Sequence, residues 1–529
     1  MQLTRASITM LLLFCLFLSA TAHAEGPYWK GLPPGQPAWQ HWSPSYPIPV
    51  TATAAYPETA QLTLQETTAT TPAFLYSLHQ VKPSQSSTDR GILLQKRDWK
   101  TGSLVASFGT SGTLRQTESG KKYLAKALHL GGDGYLYVLC YDDGAKTYLL
   151  QKRDPQTGGL VTGFGSDGIV SLGNIEYQKL LPLQGTGGLL VITKETASSL
   201  LSKTARYIGT LYAYSNGAKG IHYEITEETQ SLVGILKDTY FADAFLFEGH
   251  LYTAINIRNY SVFPTGFDQK YRIVKTDVVS GLKRWEHTYT NTLFSKEQAM
   301  SLAVDNSGIY MAGSNTSGLF MLNVTENFVR KYDLMGSPVS TWGQTGEVNI
   351  PFFKMFFDTI ENLTLRVTGN TLYLLNNGTS SYSFFFIPLT KSSAATLSRI
   401  NKTTGMPDSS FADNGLAKIA KGKFSYFILD KWGSVGIIGS DASYTGDYMS
   451  KLGLTPIPYG PLVDSGIRHK TAAGIVGIAA EPPGLSSSPL RIRKNGQTYS
   501  LPLVEKNDPN AAGIMIETPL GTKSMTKFN

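Results

Sequence analysis

The sequence predicts an all-β chain, a β-propeller of about seven blades followed by a small C-terminal β appendage. Three observations predict it. A strand-like run recurs with a period near 60, a Gly- and Asp-rich turn precedes it, and a motif of basic residue, Asp or Asn, Gly and aromatic follows it. A fixed period of this size dictates a repeat architecture.

The run reads FLYSL at Phe74, YLYVL at Tyr135, LLVIT at Leu189, HLYTA at His250, GIYMA at Gly308, TLYLL at Thr371 and SVGII at Ser434. Its central residues, Tyr76, Tyr137, Leu190, Tyr252, Tyr310, Tyr373 and Gly436, are 61, 53, 62, 58, 63 and 63 positions apart. Before it stand a turn and another strand, as in AKALHL-GGDG-YLYVL from Ala125 and SLAV-DNSG-IYMAG from Ser301. Gly and Asp/Asn supply the backbone conformations that tight hairpins need, so each unit opens as a β-hairpin. A third strand follows, such as residues 148–153, then a turn, then a fourth, such as residues 168–173. Four short antiparallel strands per unit, repeated around a ring, make a propeller. The seventh unit lacks clear third and fourth strands, and the N-terminal stretch Gln61 to Leu64 is expected to complete it.

The turn motif is best preserved in the first two units. LLQKRDWKTGSLVASFGTSG at Leu93 and LLQKRDPQTGGLVTGFGSDG at Leu149 share thirteen of twenty positions. It continues as KTDVVSGLKRWEH at Lys275, KYDLMGSPVSTWGQTG at Lys331 and RINKTTGMPDSSFADNG at Arg399. The Asp or Asn can accept backbone N–H bonds two residues on, and the Gly takes the left-handed position. The aromatics Phe108, Phe164, Trp285, Trp342 and Phe411 are expected to pack between neighbouring sheets. The third unit, LYAYSNG at Leu211, lacks the aromatic tail. Lys152, Arg153 and Asp154 alternate strand faces and read as a solvated strand end with a local ion pair.

Asp-x-x-Thr-Gly-x-Leu alternating with Phe-Gly-x-x-Gly at this period resembles the bacterial delta-60 repeat. KTDVVSGLKRW at Lys275 is similar to the docking repeat of quinoprotein-type propellers. The resemblance covers about 380 of 529 residues. It implies the fold and no particular activity, because propellers host enzymes, scaffolds and binding modules alike. Quinone-dependent members carry an adjacent Cys pair and a calcium-binding acid set. This chain has only Cys15 and Cys140, so the repeat is present without that chemistry.

Residues 1–24 read as a secretory signal peptide: Arg5, an apolar run from Ile8 to Ala20, and Ala22-His23-Ala24 as a small-x-small cleavage site. Residues 25–58 form a Pro- and aromatic-rich segment, with Pro at 27, 33, 34, 37, 44, 47 and 49. Such density excludes a helix or an inner strand. It reads as an extended strap whose Trp29, Trp39 and Trp42 pack on the propeller, or as a docking segment for a partner. The propeller is expected over 59–460 and a β-hairpin module over 461–529. In that module Asn495-Gly496 turns one hairpin and Pro519-Leu520-Gly521 a second. Without Cys15 the mature chain has the single Cys140, which excludes an internal disulfide.

The 47 basic and 39 acidic residues give +8, without a basic run of the kind that nucleic acid requires, and no later segment is apolar enough to span a bilayer as a helix. The histidines (23, 41, 79, 129, 222, 250, 287 and 469) show no HxH or HExxH spacing, and no GxSxG elbow occurs. Cys140 sits in an apolar strand and reads as core. Catalytic, cofactor-binding and metal residues are therefore assigned to none. No cofactor is expected, calcium being the one ion whose oxygen ligands Asp142-Asp143-Gly144 or Asp305-Asn306-Ser307 supply, without EF-hand spacing. The expected function is an exported, secreted or periplasmic, non-enzymatic scaffold that binds a protein or polysaccharide of the cell envelope. The alternative is a glycan- or peptide-acting hydrolase or lyase at the central channel. Three long inter-strand segments, Val81 to Arg90, Arg258 to Lys270 and Gly378 to Ser393, are the candidate recognition surface, being rich in Ser, Asn, Tyr and Phe.

Overall fold

A computed structural model describes strands between Ile48 and Lys523 and side chains between Gln61 and Gly436, apart from short connecting segments within both ranges. The chain divides into two compact bodies, Met1–Gly453 and Leu454–Asn529. Every regular element described is a strand.

In the first body the strands form five four-stranded sheets and one of eight strands. Each four-stranded repeat is an antiparallel meander, from residues 55–116 in the first to 358–420 in the sixth. The eight-stranded sheet is two such repeats, the fourth (236–289) and fifth (295–350), joined by the single parallel bridge Gln269↔Lys296. Six sheets thus stand where seven units are expected, and the difference lies in that one bridge.

The innermost strands are Ala55–Gln65, Tyr123–Leu130, Glu176–Pro182, Leu236–Phe247, Ser295–Asp305, Asp358–Thr368 and Gly422–Leu429. Each touches the next, and the last touches the first, which closes the ring of a β-propeller. Closure does not use Gln61 to Leu64 as the seventh unit's missing strand, because those residues lie in the inner strand of the first repeat. Ile48–Pro49 instead pairs with Asp447–Leu452 as the outermost strand of the last sheet. Segments from before the first repeat and from the last one, hydrogen-bonded in one sheet, leave the ring no open seam.

The motif turns close alike. Asp98 Oδ1 accepts from Thr101 N at 2.7 Å, Asp154 Oδ1 from Thr157 N at 2.8 Å, and Asp277 Oδ1 from Ser280 N at 2.8 Å. Asn401 Oδ1 accepts from Thr404 N at 3.0 Å. Their glycines, Gly102, Gly158, Gly281 and Gly405, have φ of 74°, 79°, 70° and 75°. Phe108, Phe164, Trp342 and Phe411 are buried between sheets as the pattern requires. The glycine of one turn lies on the aromatic of the preceding repeat. A Cβ on Gly158 would stand 3.0 Å from Phe108, and one on Gly405 2.9 Å from Trp342. Backbone bonds run alongside, Gly109 N to Thr157 O at 2.9 Å and Gly343 N to Thr404 O at 3.0 Å. The third repeat does not lack a wedge. Tyr223, on its fourth strand, places Cβ 2.6 Å from where Gly281 would carry one.

The strand end Lys152-Arg153 is not solvated, and neither is Lys96-Arg97. All four are buried, at 5%, 5%, 0% and 5% exposure. The strand ends at an interface between repeats, where the lysine stem runs along a tyrosine to carbonyls of the next turn. Lys152 Nζ stands 5.7 Å from the Tyr137 ring centre, 2.7 Å from Tyr214 O and 2.7 Å from Asp133 Oδ2. Lys96 Nζ donates to Pro155 O at 2.9 Å. The arginines turn to the other face, Arg97 Nη1 to Gly102 O at 2.8 Å and Arg153 Nη1 to Gly158 O at 2.9 Å.

In the second body, Asp464–Thr471, Gly474–Ala479, Leu490–Lys494 and Gln497–Leu501 form a four-stranded sheet. Lys494 pairs with Gln497 across Asn495-Gly496, and Thr518 with Gly521 across the second expected hairpin.

Gly217→Ala is expected to lower stability by about 2–4 kcal/mol, because it adds left-handed strain to a clash with half-buried Val170 and buried Phe164. Gly249→Ala has equal φ (72°) and open space, so it should cost only about 1 kcal/mol. Thermal melting of the two variants checks the difference. Lys152→Ala removes the ammonium from Asp133 and the donor from Tyr214 O, and should cost about 2–4 kcal/mol in denaturant unfolding. A neutral result there would restore the solvated reading.

Candidate functional site

Six of the seven inner strands, all but the first, carry one extra residue at the same place. The pairing skips Lys126, Gln178, Ala242, Met300, Glu361 and Ser425. Such β-bulges bend a strand and re-aim the side chains beside them. The next residue is Ala127, Lys179, Asp243, Ser301 or Asn362 in successive repeats, so three polar groups meet near the axis.

Asp243 is the hub of these groups. Its Oδ1 pairs with Lys179 Nζ and accepts from Ala244 N at 2.9 Å. Its Oδ2 accepts from Ser301 Oγ at 3.0 Å and Leu302 N at 2.9 Å. Lys179 also donates to Ala244 O at 2.8 Å, and Ser301 Oγ accepts from Leu365 N at 3.0 Å. Four repeats, the third to the sixth, are thereby tied around the axis. Burial alone would raise the Asp243 carboxyl, but Lys179 and the donated hydrogen bonds hold it below the usual carboxylate range. His129 completes the group from the second repeat. Burial, with Lys179 and Arg366 nearby, pushes its imidazole down to about 3, against a weaker upward pull from the Leu180 carbonyl.

Tight turns join first to second and third to fourth strands, so they share one end of the ring, the turn face. Second-to-third connections and links between repeats share the other, the loop face. On the loop face a cleft of about 350 Å³ opens between the fourth, fifth and sixth repeats. The bulge residues Ala242 and Met300 line it, with Asn362 just past a third bulge. Tyr240 and Phe241 give it rings, and Asn256, Gln269 and Gln298 give it further carboxamides. Arg258 stacks on Tyr240 with its guanidinium 5.1 Å from the ring centre, and Tyr240 donates to Asp238 at 2.6 Å. Asn256 is fixed at both ends, donating to Ala299 O and accepting from Ala299 N, each at 2.8 Å. Gln269 contacts Gln298 only at 3.5 Å. Among the described residues, the lining contains no carboxylate, imidazole, hydroxyl nucleophile or thiol except the Tyr240 phenol.

All three expected recognition segments leave on the loop face, but two are strands rather than loops. Residues 258–261 and 266–270 extend the hairpin of the fourth repeat, and Thr371–Phe384 runs almost directly into Ile387–Asn401. Their Tyr, Phe, Thr and Ser content favours strand, so the hairpins lengthen instead of looping. Arg258 and Gln269 of the first of these reach the cleft, whereas residues 82–88 lie outside the described residues. Sequence reasoning missed the bulges and the axial network. Their available signal was a polar residue at matched period before an apolar run, as in KLLP, DAFLF and SLAV.

The remaining candidates serve the frame. Asp142 accepts from Gly144 N and Ala145 N at 2.9 and 3.1 Å, and Asp305 pairs with Lys402 at 2.7 Å. No group of three or more His, Cys, Asp or Glu suited to a metal occurs among the described residues. Cys140 is buried in the core, and burial pushes its thiol up to about 12. His79 contacts Ser77 at 2.9 Å, His222 Thr210 at 2.9 Å, His250 Glu248 O at 2.9 Å and His287 Met335 O at 3.0 Å. His23 and His41 lie outside the described residues, and His469 lies in the strand Asp464–Thr471.

Ring, bulges and cleft together define a β-propeller with a polar cleft on its loop face. No protein-family model matches the chain, and no curated protein matches its sequence. Among solved structures it is similar to Drosophila Semaphorin 2a at 8% identity and a TM-score of 0.38, over 87% of this chain and 83% of that one. Drosophila Semaphorin 1b, extracellular domains 1-2, matches at 8% and 0.33, over 77% and 87%. The GH93 alpha-L-arabinofuranosidase of Fusarium graminearum, in complex with arabinobiose, matches at 11% and 0.32, over 60% and 89%. None of these likenesses assigns a ligand or a reaction to this chain.

The His129 shift sets a pH dependence. The folded imidazole titrates far below its ordinary 6.5, so the unfolded chain takes the proton first. Stability is then full above about pH 6.5 and falls on acidification, by at most about 1.4 kcal/mol per pH unit. Asp243, also depressed, adds a loss below about pH 4. Melting temperature measured from pH 7.5 to 5 should decline, and His129→Gln should flatten the decline. An unchanged slope in that variant would place the titration elsewhere.

Proposed function

We propose that this chain is an exported, seven-bladed propeller that binds a protein or glycan of the cell envelope or the extracellular space, and that the loop-face cleft is its binding site. One observation carries the reading. Among the described residues the cleft is lined by four carboxamides, a stacked guanidinium and two aromatic rings, and by none of the paired carboxylates that hydrolysis of a glycoside needs. Amide forks and ring faces are groups that recognise polar, hydroxyl- or amide-bearing ligands. The axial Asp243 does not supply a catalytic acid, since both its oxygens are taken up by Lys179, Ser301 and backbone donors. The seven inner strands in one closed circuit support the blade count, with the eight-stranded sheet counted as two blades. The signal-like leader and the resemblance to delta-60 repeats support an exported propeller.

The test uses the full mature chain against soluble envelope polysaccharides and envelope proteins, with binding and turnover read in parallel. Gln298→Ala with Asn362→Ala removes two amides from the cleft and should weaken binding about tenfold without changing the melting temperature. Turnover of a glycan or peptide that persists in this double variant would overturn the reading.

A further inference from the structure

The turn face carries an apolar arc that the repeat pattern does not require. Val279, Met335, Leu282 and Met406 are the four most exposed large apolar side chains among the described residues, at 67%, 65%, 59% and 50%. All lie in turns between third and fourth strands, and these turns belong to the fourth, fifth and sixth repeats. At the matching positions the second and third repeats carry Gln156 and Ser215 beside the turn, and the first three carry Ser103, Gly159 and Ala218 after the glycine. The arc is continuous in structure, because successive turns rest on one another. His287 of the fourth repeat contacts Met335 O at 3.0 Å, and Trp342 of the fifth lies under Gly405 of the sixth.

Strand register shows which part of the chain arrives there. Ile48 pairs with Met449 and Pro49 with Tyr448, while Leu452 pairs with Val435 beside the turn that ends the inner strand Gly422–Leu429. Residues before Ile48 therefore enter the outer edge of the seventh repeat from the turn face. The sixth repeat, where the arc begins at Met406, is its immediate neighbour. The incoming segment, residues 25–47, holds Trp29, Trp39 and Trp42 with six prolines. Extended at about 3.1 Å per residue it reaches about 70 Å, while packed sheets lie about 10 Å apart and wider toward the rim, so three repeats fall within reach. Proline-rich chain has few N–H donors to leave unpaired, and indole rings pair well with methionine sulfur.

We propose that the arc of Val279, Leu282, Met335 and Met406 is the docking surface for the chain's own N-terminal segment, residues 25–47. This assignment is independent of the cleft, which lies on the opposite face.

Photo-crosslinking tests it in the full chain, with benzoylphenylalanine in place of Met335 or Met406. Illumination is expected to join either site to a peptide within residues 25–47. Crosslinks to residues 454–529, a crosslinked dimer, or no crosslink at either site would each overturn the proposal. A second readout uses Lys30, the one trypsin site between Glu25 and Pro47. Cleavage there should be at least tenfold faster in a Met335→Asp, Met406→Asp variant than in the native chain. Equal rates would overturn it as well.

Discussion

The contact on which the ring depends is the seat of one repeat's turn glycine on the aromatic wedge of the repeat before it. A flat aromatic buried between two sheets contributes about 1.5–3 kcal/mol, but only if the neighbouring backbone approaches within van der Waals distance. That approach requires a residue without Cβ in a left-handed conformation, which Gly158, Gly217, Gly281, Gly336 and Gly405 provide. The same contact explains the buried lysines. Once the wedge has closed the interface, carbonyls of the adjoining turn, such as Pro155 O and Tyr214 O, lose water and need donors. Lys96 and Tyr76 supply the first, Lys152 the second. The charge is tolerated because the ammonium keeps hydrogen bonds and, for Lys152, a carboxylate.

Ring closure follows the same rule with the parts exchanged. In the seventh run the usual tyrosine is Gly436, which by itself would leave a hole between the last sheet and the first. Trp99, from the first repeat's turn, fills it, with ring atoms 2.9 Å from where Gly436 would carry a Cβ. Trp99 is 4% exposed. The departure of the seventh run from its pattern and the departure of the first turn from its pattern are thus one feature. Together with the Ile48–Pro49 strand, they join the first repeat to the last sheet of the ring.

Much of this frame was legible in the sequence because its causes are local. A turn needs its Asp and Gly four residues apart, and a wedge needs its aromatic at a fixed distance after them. Those spacings survive in Lys152 to Gly168 and in Arg399 to Gly415 alike. Three things were not legible, and each is a tertiary effect. Lys152 looked like a surface charge because nothing near it in sequence shows that the next repeat covers it. Tyr223 escaped notice as a wedge because it comes from the strand rather than the motif. The ring-closing strand is two residues long in a proline-rich stretch, where strand propensity offers no signal.

The cleft was legible only in part, for a reason that bears on how such a ring acquires function. Its position comes from the bulges, and bulges leave no residue signature of their own: Lys126, Gln178, Ala242 and Met300 share only their place in the pairing. Its chemistry comes from the residues those bulges present, and these differ between repeats. Where the residue after the bulge is Lys179, Asp243 or Ser301, it is consumed in joining repeats near the axis. Where the bulge itself presents Ala242 or Met300, small or flexible side chains leave room beside the axis for a cavity. The bulge thus serves as a fixed backbone device with free side-chain content. On the turn face the side chains are bound by the wedge and glycine geometry, so divergence there is confined to outward positions such as Val279 and Met335. On the loop face no such geometry recurs, hairpins lengthen freely, and the backbone already aims side chains inward. A ring built this way can change the cavity it presents without changing what holds it closed.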